Sequence, residues 1–403
     1  MKKRLQKQTG RIGPKRPLGS TILTATIVLM LAACTVESPE QEKELRAVNF
    51  GGYTEQFQTR ADAAKEKRVI GDGESMGVYA YLHDNGTWDD ESPNTPNFMW
   101  NQPCTYNAEL DAFVYAPLKY WPNEENDKVS FIAYYPFTDP NISGNPENPT
   151  SSACTGLTPQ LANDGTGLPS FHFTVNDTPA NQVDFLVSDL ITNLPKTRDT
   201  EDDPHTAFND LNIYDRVHFI FHHSLAKVEF RIVADANIVK DLARFTILDP
   251  GITVSNIKKT GTMVASYVPA TGTQLSWTPD AGEGNNHTYT FKTYEPQLLL
   301  PQELDNEAQF KVSYEIAFKS DKTTYEYDNQ GKTTATNEYV YQKTNATLQL
   351  NEMKMAGTNT PLTEWLPNHH YIYTIRLRAN RIEFTAQVVE WGEEVTWSGD
   401  FVN

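Results

Sequence analysis

Three cysteines in 403 residues are too few for a disulfide-stapled module, which packs many into a short chain. Positive charge is also scarce: 34 Lys and Arg stand against 52 Asp and Glu, for a net charge of −18. Such a chain repels phosphate backbones, which argues against nucleic acid as a partner. No apolar run reaches the roughly 20 residues that a membrane-spanning helix needs. Common catalytic motifs are missing too, with no G-x-S-x-G elbow, no H-E-x-x-H helix and no phosphate-binding glycine loop. The chain reads as a non-enzyme with no cofactor.

What is present begins with a leader. Lys2, Lys3, Arg4, Lys7, Arg11, Lys15 and Arg16 precede a mostly apolar run from Thr21 to Ala33, the charged and hydrophobic regions of a signal peptide. The run ends Leu31-Ala32-Ala33-Cys34, which resembles a bacterial lipobox and makes Cys34 the expected lipidated N-terminus. Removal of residues 1–33 takes away seven positive charges, so the net charge falls from −18 to −25. The segment that follows, with Glu37, Glu40, Glu42 and Glu44, reads as a solvated tether. Cys104 and Cys154 are then the remaining cysteines, either a disulfide pair or two free thiols.

From Val48 onward, short period-two runs alternate with Pro, Gly, Asn and Asp clusters, the mark of antiparallel strands. The clearest are Met76–Leu82, closed by the turn Asp84-Asn85-Gly86, then Val129–Tyr135, Val183–Val187, Val217–Ile232, Phe310–Phe318, Ala346–Leu350, Tyr371–Leu377 and Ile382–Val389. Only Asn237–Arg244 reads as a short helix, with Ile238, Val239 and Leu242 on one side. No strand alternates with a long helix, so a doubly wound α/β domain is excluded. The charged stretch 193–215 is the expected linker between two sandwich-sized halves.

His222 and His223 lie in a strand-like run and should point to opposite faces, where they do not share a metal. His369 and His370 follow Pro367-Asn368 and are expected at a solvated turn. The acids Glu393-Glu394 and Asp84, Asp89 and Asp90 lack calcium-loop spacing and read as solvated. Trp88, Trp100 and Trp121 are either core anchors or platforms for sugar rings.

Three stretches together resemble the fimbrillin (Mfa-like, type V pilin) family of Gram-negative anaerobes. They are Val217–Ile232 with Phe221, His223 and Leu225-Ala226-Lys227; Trp365 followed by Tyr371–Ile375 and Ile382–Trp391; and Thr59-Arg60-Ala61 with Gly71-Asp72 and Met76–Tyr79. The resemblance implies an all-β fold of two tandem transthyretin-like β-sandwich domains. On that basis residues 1–33 are the lipoprotein signal, 34–60 a tether and removable first strand, 61–215 the N-terminal sandwich and 216–403 the C-terminal sandwich with a donor tail.

The family further implies a fimbrial subunit at the surface of the outer membrane, held there through lipid (palmitate among the acyl chains) and polymerised with other pilin subunits to support adhesion. An arginine-specific protease would cut between Arg60 and Ala61, with Arg46 and Arg68 as other candidates. That cut releases the strand Ala47–Thr54, whose Val48, Phe50 and Gly52 share one face. Val395, Trp397 and Phe401 alternate in the same way in the tail, the expected donor strand. Only 12 residues follow Trp391, an extended reach of about 40 Å, so a tip or anchor role stays open beside the stalk role. The alternative function is a monomeric surface lipoprotein that binds glycan or protein.

Overall fold

The strongest period-two runs form strands in the computed structural model of the chain. It describes residues 46–54, 70–88, 94–124, 126–139, 156–161, 166–196, 216–234, 242–327, 333–358, 360–378, 381–391 and 400–401. Met76–Leu82 lies within the strand Ser75–His83, and Val129–Tyr135 within Lys128–Tyr135. The turn after the first of these is made by Asn85 at φ 48°, a left-handed conformation that Asn adopts more readily than most residues. Among the described residues there is no α-helix, only strands and three 3₁₀ turns, so the fold is all-β.

An eight-stranded sheet carries the N-terminal part. Its central strands Lys128–Tyr135 and Ser75–His83 are buried on both faces. One face holds Met76, Val78, Ala80, Phe131, Phe219 and Trp121. The other, with Tyr79, Tyr81, Ile132 and Tyr134, joins a second core that runs through the rest of the molecule.

The C-terminal part is a sandwich. A six-stranded sheet holds Ala226–Ala234, His369–Arg378 and Arg381–Glu390, and a four-stranded sheet holds Asn286–Phe291, Leu242–Lys258, Gln309–Tyr327 and Thr333–Gln349. Phe230 joins them, its ring 5.0 Å from Tyr373 in its own sheet and 4.9 and 5.2 Å from Phe291 and Phe310 in the other. Aromatic pairs at such spacings add to the stabilisation that burial alone provides.

Several expectations are corrected by these pairings. Val217–Ile232 is not one strand but two, Arg216–His223 and Ala226–Ala234, which enter different sheets. The break at Ser224 is held by its N–H donating to Phe185 O at 2.8 Å and by the Trp277 indole donating to Ser224 O at 2.6 Å. The strand that starts at Arg216 belongs to the N-terminal sheet, and Thr260–Val268 pairs with Ser170–Thr174. Sheets therefore cross the expected boundary at 215/216, and Leu45–Asn403 forms one compact unit. The end of the expected helix, Leu242–Arg244, opens the strand Leu242–Lys258, because its backbone pairs with Ala317–Phe318 far along the chain; residues 237–241 lie outside the described residues.

Candidate functional site

The first strand of the described chain, Asn49–Thr54, lies at one edge of the eight-stranded sheet. It runs parallel to Arg216–His223 in the register Asn49 to Arg216 through Thr54 to Phe221. Just before it, residues 46–48 pair antiparallel with 119–121: Val48 N–H donates to Lys119 O and Trp121 N–H to Arg46 O, both at 2.9 Å. The Tyr115 hydroxyl donates to Val48 O at 2.8 Å. Burial raises the Tyr115 phenol to about 12, so it keeps its proton for this bond.

Alternation puts Val48 and Phe50 on the inner face, and both are fully buried. The Phe50 ring stacks 5.6 Å from Phe219 and lies 5.5 Å from Tyr115 and 5.9 Å edge-on to Phe131. On the opposite face Gly51 is paired with His218, and a Cβ at Gly51 would come 2.8 Å from His218 Nδ1. The strand is thus an edge element with two apolar plugs and a close backbone approach. Its neighbour Arg216–His223 would present unpaired backbone groups without it, which is the requirement for taking up a strand from elsewhere.

The alternation of Val48 and Phe50 was legible in sequence, and it was expected as the removable strand. The sequence does not mark the groove around Phe50, made by Tyr115, Phe131 and Phe219 with His218 on the other side. The only local signal for it was the period-two run Val217-His218-Phe219-Ile220-Phe221. Arg46 is described, its guanidinium donating to Lys196 O at 3.4 Å. Cys34, Arg60, Ala61, Arg68, Cys154, Val395 and Trp397 lie outside the described residues. Backbone of Asp400–Phe401 pairs antiparallel with Val233–Ala234 of the same chain, so this stretch of the expected donor is placed on its own sheet.

Cys104 is a free, fully buried thiol, not one half of a disulfide. His222 and His223 are each bound to a different acid, Asp189 at 3.0 Å and Asp184 at 2.9 Å, and the His223 ring stacks 4.1 Å from Trp391. His370 corrects the expectation of a solvated turn: it is buried in the strand His369–Arg378, 3.2 Å from Glu229. Among the described residues no group of three or more acids, His or Cys is placed to hold a metal. Trp121 is core, Trp88 packs partly buried against the second core, and Trp100 is exposed.

A model of the Fimbrillin-like family matches residues 59–391, a span that starts after the edge strand and ends at Trp391. A fimbrial protein from Bacteroides vulgatus is similar at 15% identity and a TM-score of 0.52, covering 86% of this chain and 99% of that one. A fimbrilin from Porphyromonas gingivalis aligns at 10% identity and a TM-score of 0.36, over 86% and 97% of the two chains. A tip fimbrial protein from the same organism aligns at 11% identity and a TM-score of 0.31, over 86% and 100%. No curated protein matches the chain.

Proposed function

The chain belongs to the fimbrillin-like family, and from that membership we propose that it is a structural subunit of a cell-surface fimbria, exported as a lipoprotein, matured by arginine-specific cleavage and polymerised by donor-strand exchange in support of adhesion. The observation that carries the assembly step is the burial of Val48 and Phe50 by an edge strand. Each such side chain contributes about 1.5 to 3 kcal/mol on burial. Cleavage between Arg60 and Ala61 would cut the covalent link between that strand and the sheet it completes. Its departure would uncover Phe219, Phe131 and Tyr115 together with the backbone edge of 216–221, and an alternating strand from a neighbouring subunit would cover both.

The tail with Val395, Trp397 and Phe401 is the donor in this reading. It must first leave its own sheet, where two residue pairs join Asp400–Phe401 to Val233–Ala234. Cys34 anchors the exported precursor to the outer membrane until the cut after Arg60 releases it: at about 0.8 kcal/mol per buried CH₂, several acyl chains hold where one would exchange.

The test is mass spectrometry of the N-terminus of surface-assembled protein, with electron microscopy of the same preparation. Filaments whose subunits begin at Ala61 are the expected result. Assembled subunits that still begin at Cys34 would overturn the cleavage step. Cys34→Ala should leave an uncleaved, unacylated precursor, and a variant that is still acylated would remove Cys34 as the lipid site.

A further inference from the structure

A cleft of about 600 Å³ opens where the eight-stranded sheet meets the hairpin Thr260–Val268 and Gly272–Pro279. It shares only the strand Arg216–His223 with the groove of the first strand, contributing His222 rather than the residues around Phe50. Its walls are tied together: Leu190 N–H donates to Thr273 Oγ1 at 2.7 Å, and Asp189 N–H donates to Ile220 O at 2.9 Å. A site held this way loses little freedom when it is filled.

The lining decides what it can hold. Among the described residues Asp189, Thr192, His222, Tyr267, Thr271 and Gln274 face the cleft, and no Lys or Arg does. With a carboxylate in the wall and a net charge of −18, an anionic ligand is repelled. An apolar ligand would strand the polar groups that dominate the walls, at a cost for each left without a partner. Among the described residues one carboxylate lines the cleft, short of the six or more oxygens that calcium needs. A neutral molecule rich in hydrogen-bonding groups fits these walls.

The individual groups match such a molecule. Asp189 Oδ1 lies 3.0 Å from His222 Nε2, and a carboxylate accepts hydrogen bonds from ligand hydroxyls. Gln274 Nε2 donates to Thr271 O at 3.1 Å, so the amide is fixed with its oxygen and second N–H available. The hydroxyls of Thr192 and Thr271 each donate and accept. Half-buried Tyr267 adds an aromatic face. Vicinal hydroxyls engage a carboxylate or an amide in pairs, and the C–H face of a sugar ring packs on an aromatic ring. The volume falls in the range of about 300 to 1,000 Å³ typical of ligand clefts. We propose that this cleft is a binding site for neutral saccharides, with Asp189, Gln274 and Thr271 as hydrogen-bonding residues and Tyr267 as the stacking surface.

The test is saturation-transfer NMR on the purified full chain in detergent, which reads single molecules and is therefore independent of filament formation. The probes are the methyl glycosides of glucose, galactose, mannose and N-acetylglucosamine, with lactose and maltose, against 3′-sialyllactose and glucose 6-phosphate as anionic counterparts. At least one neutral saccharide is expected to receive saturation. Its affinity should fall at least tenfold in Thr271→Val combined with Gln274→Ala, two exposed positions whose replacement leaves the melting temperature unchanged. Three results would overturn the proposal: no neutral saccharide binds, binding survives intact in the double variant, or an anionic counterpart binds more tightly than its neutral form.

Discussion

Glu229 and His370 meet across two neighbouring parallel strands, with Glu229 Oε2 3.2 Å from His370 Nε2 and both side chains almost completely buried. Arg231 closes the cluster from the same strand, its guanidinium bonded to the same carboxylate. Burial by itself would raise the Glu229 pKa, yet the hydrogen bonds and charges of His370 and Arg231 outweigh it and hold the carboxyl at about 2.

A pH dependence of stability follows from that cluster. The folded value of about 2 lies below the unfolded reference of 4.5, so the folded state favours the charged form. Its contribution is fully present above pH 4.5 and is lost as pH falls toward 2. A shift of this size corresponds to about 3 kcal/mol. Urea unfolding from pH 6 down to pH 2 should show that loss, and Glu229→Gln should flatten the profile over the same window. An unchanged profile in the variant would place the acid sensitivity elsewhere.

The contact of Gly51 with His218 predicts a coupled pair of substitutions. Gly51→Ala sets a methyl 2.8 Å from the buried His218 ring, and overpacking of this kind costs about 1 to 3 kcal/mol. His218→Ala in the same chain should restore most of it. Equilibrium unfolding of the four proteins in the cycle gives the interaction energy, and an additive result would mean that the ring does not press on this strand.

Cys104 should be chemically silent in the folded protein. It is fully buried, and burial raises its thiol well above the ordinary value, which removes the reactive thiolate. Iodoacetamide at pH 8 followed by peptide mapping is expected to leave Cys104 unlabelled in native protein and label it fully in denatured protein. A linkage between Cys104 and Cys154 in the non-reduced map would contradict the free thiol.

The tail separates assembly from folding. Trp397→Asp combined with Phe401→Asp should leave the monomer's thermal unfolding nearly unchanged and abolish filaments. A large loss of monomer stability would instead identify the tail as an integral strand of its own sandwich. Normal filaments from a stable double variant would dismiss both roles.

The sequence by itself determined the all-β class and the location of most strands. Alternation at period two is a local property, and it marked Met76–Leu82, Val129–Tyr135, Tyr371–Leu377 and Ile382–Val389 with little ambiguity. It also put Val48 and Phe50 on one face of the candidate removable strand. What local pattern does not carry is the identity of a strand's partner. Val217–Ile232 alternates well enough to read as one strand, but it divides at Ser224 because Phe185 and Trp277 claim that backbone from distant segments. Leu242 sits in a helix-like spacing and becomes a strand because Phe318 is its partner. His370 looked like part of a solvated turn and is buried, since parallel pairing brings Glu229 against it. The groove around Phe50 and the polar cleft around Asp189 are likewise made of residues far apart in the chain. Tertiary structure decides them because hydrogen bonds between strands and the burial of one face against another are non-local, and no window of sequence contains both partners.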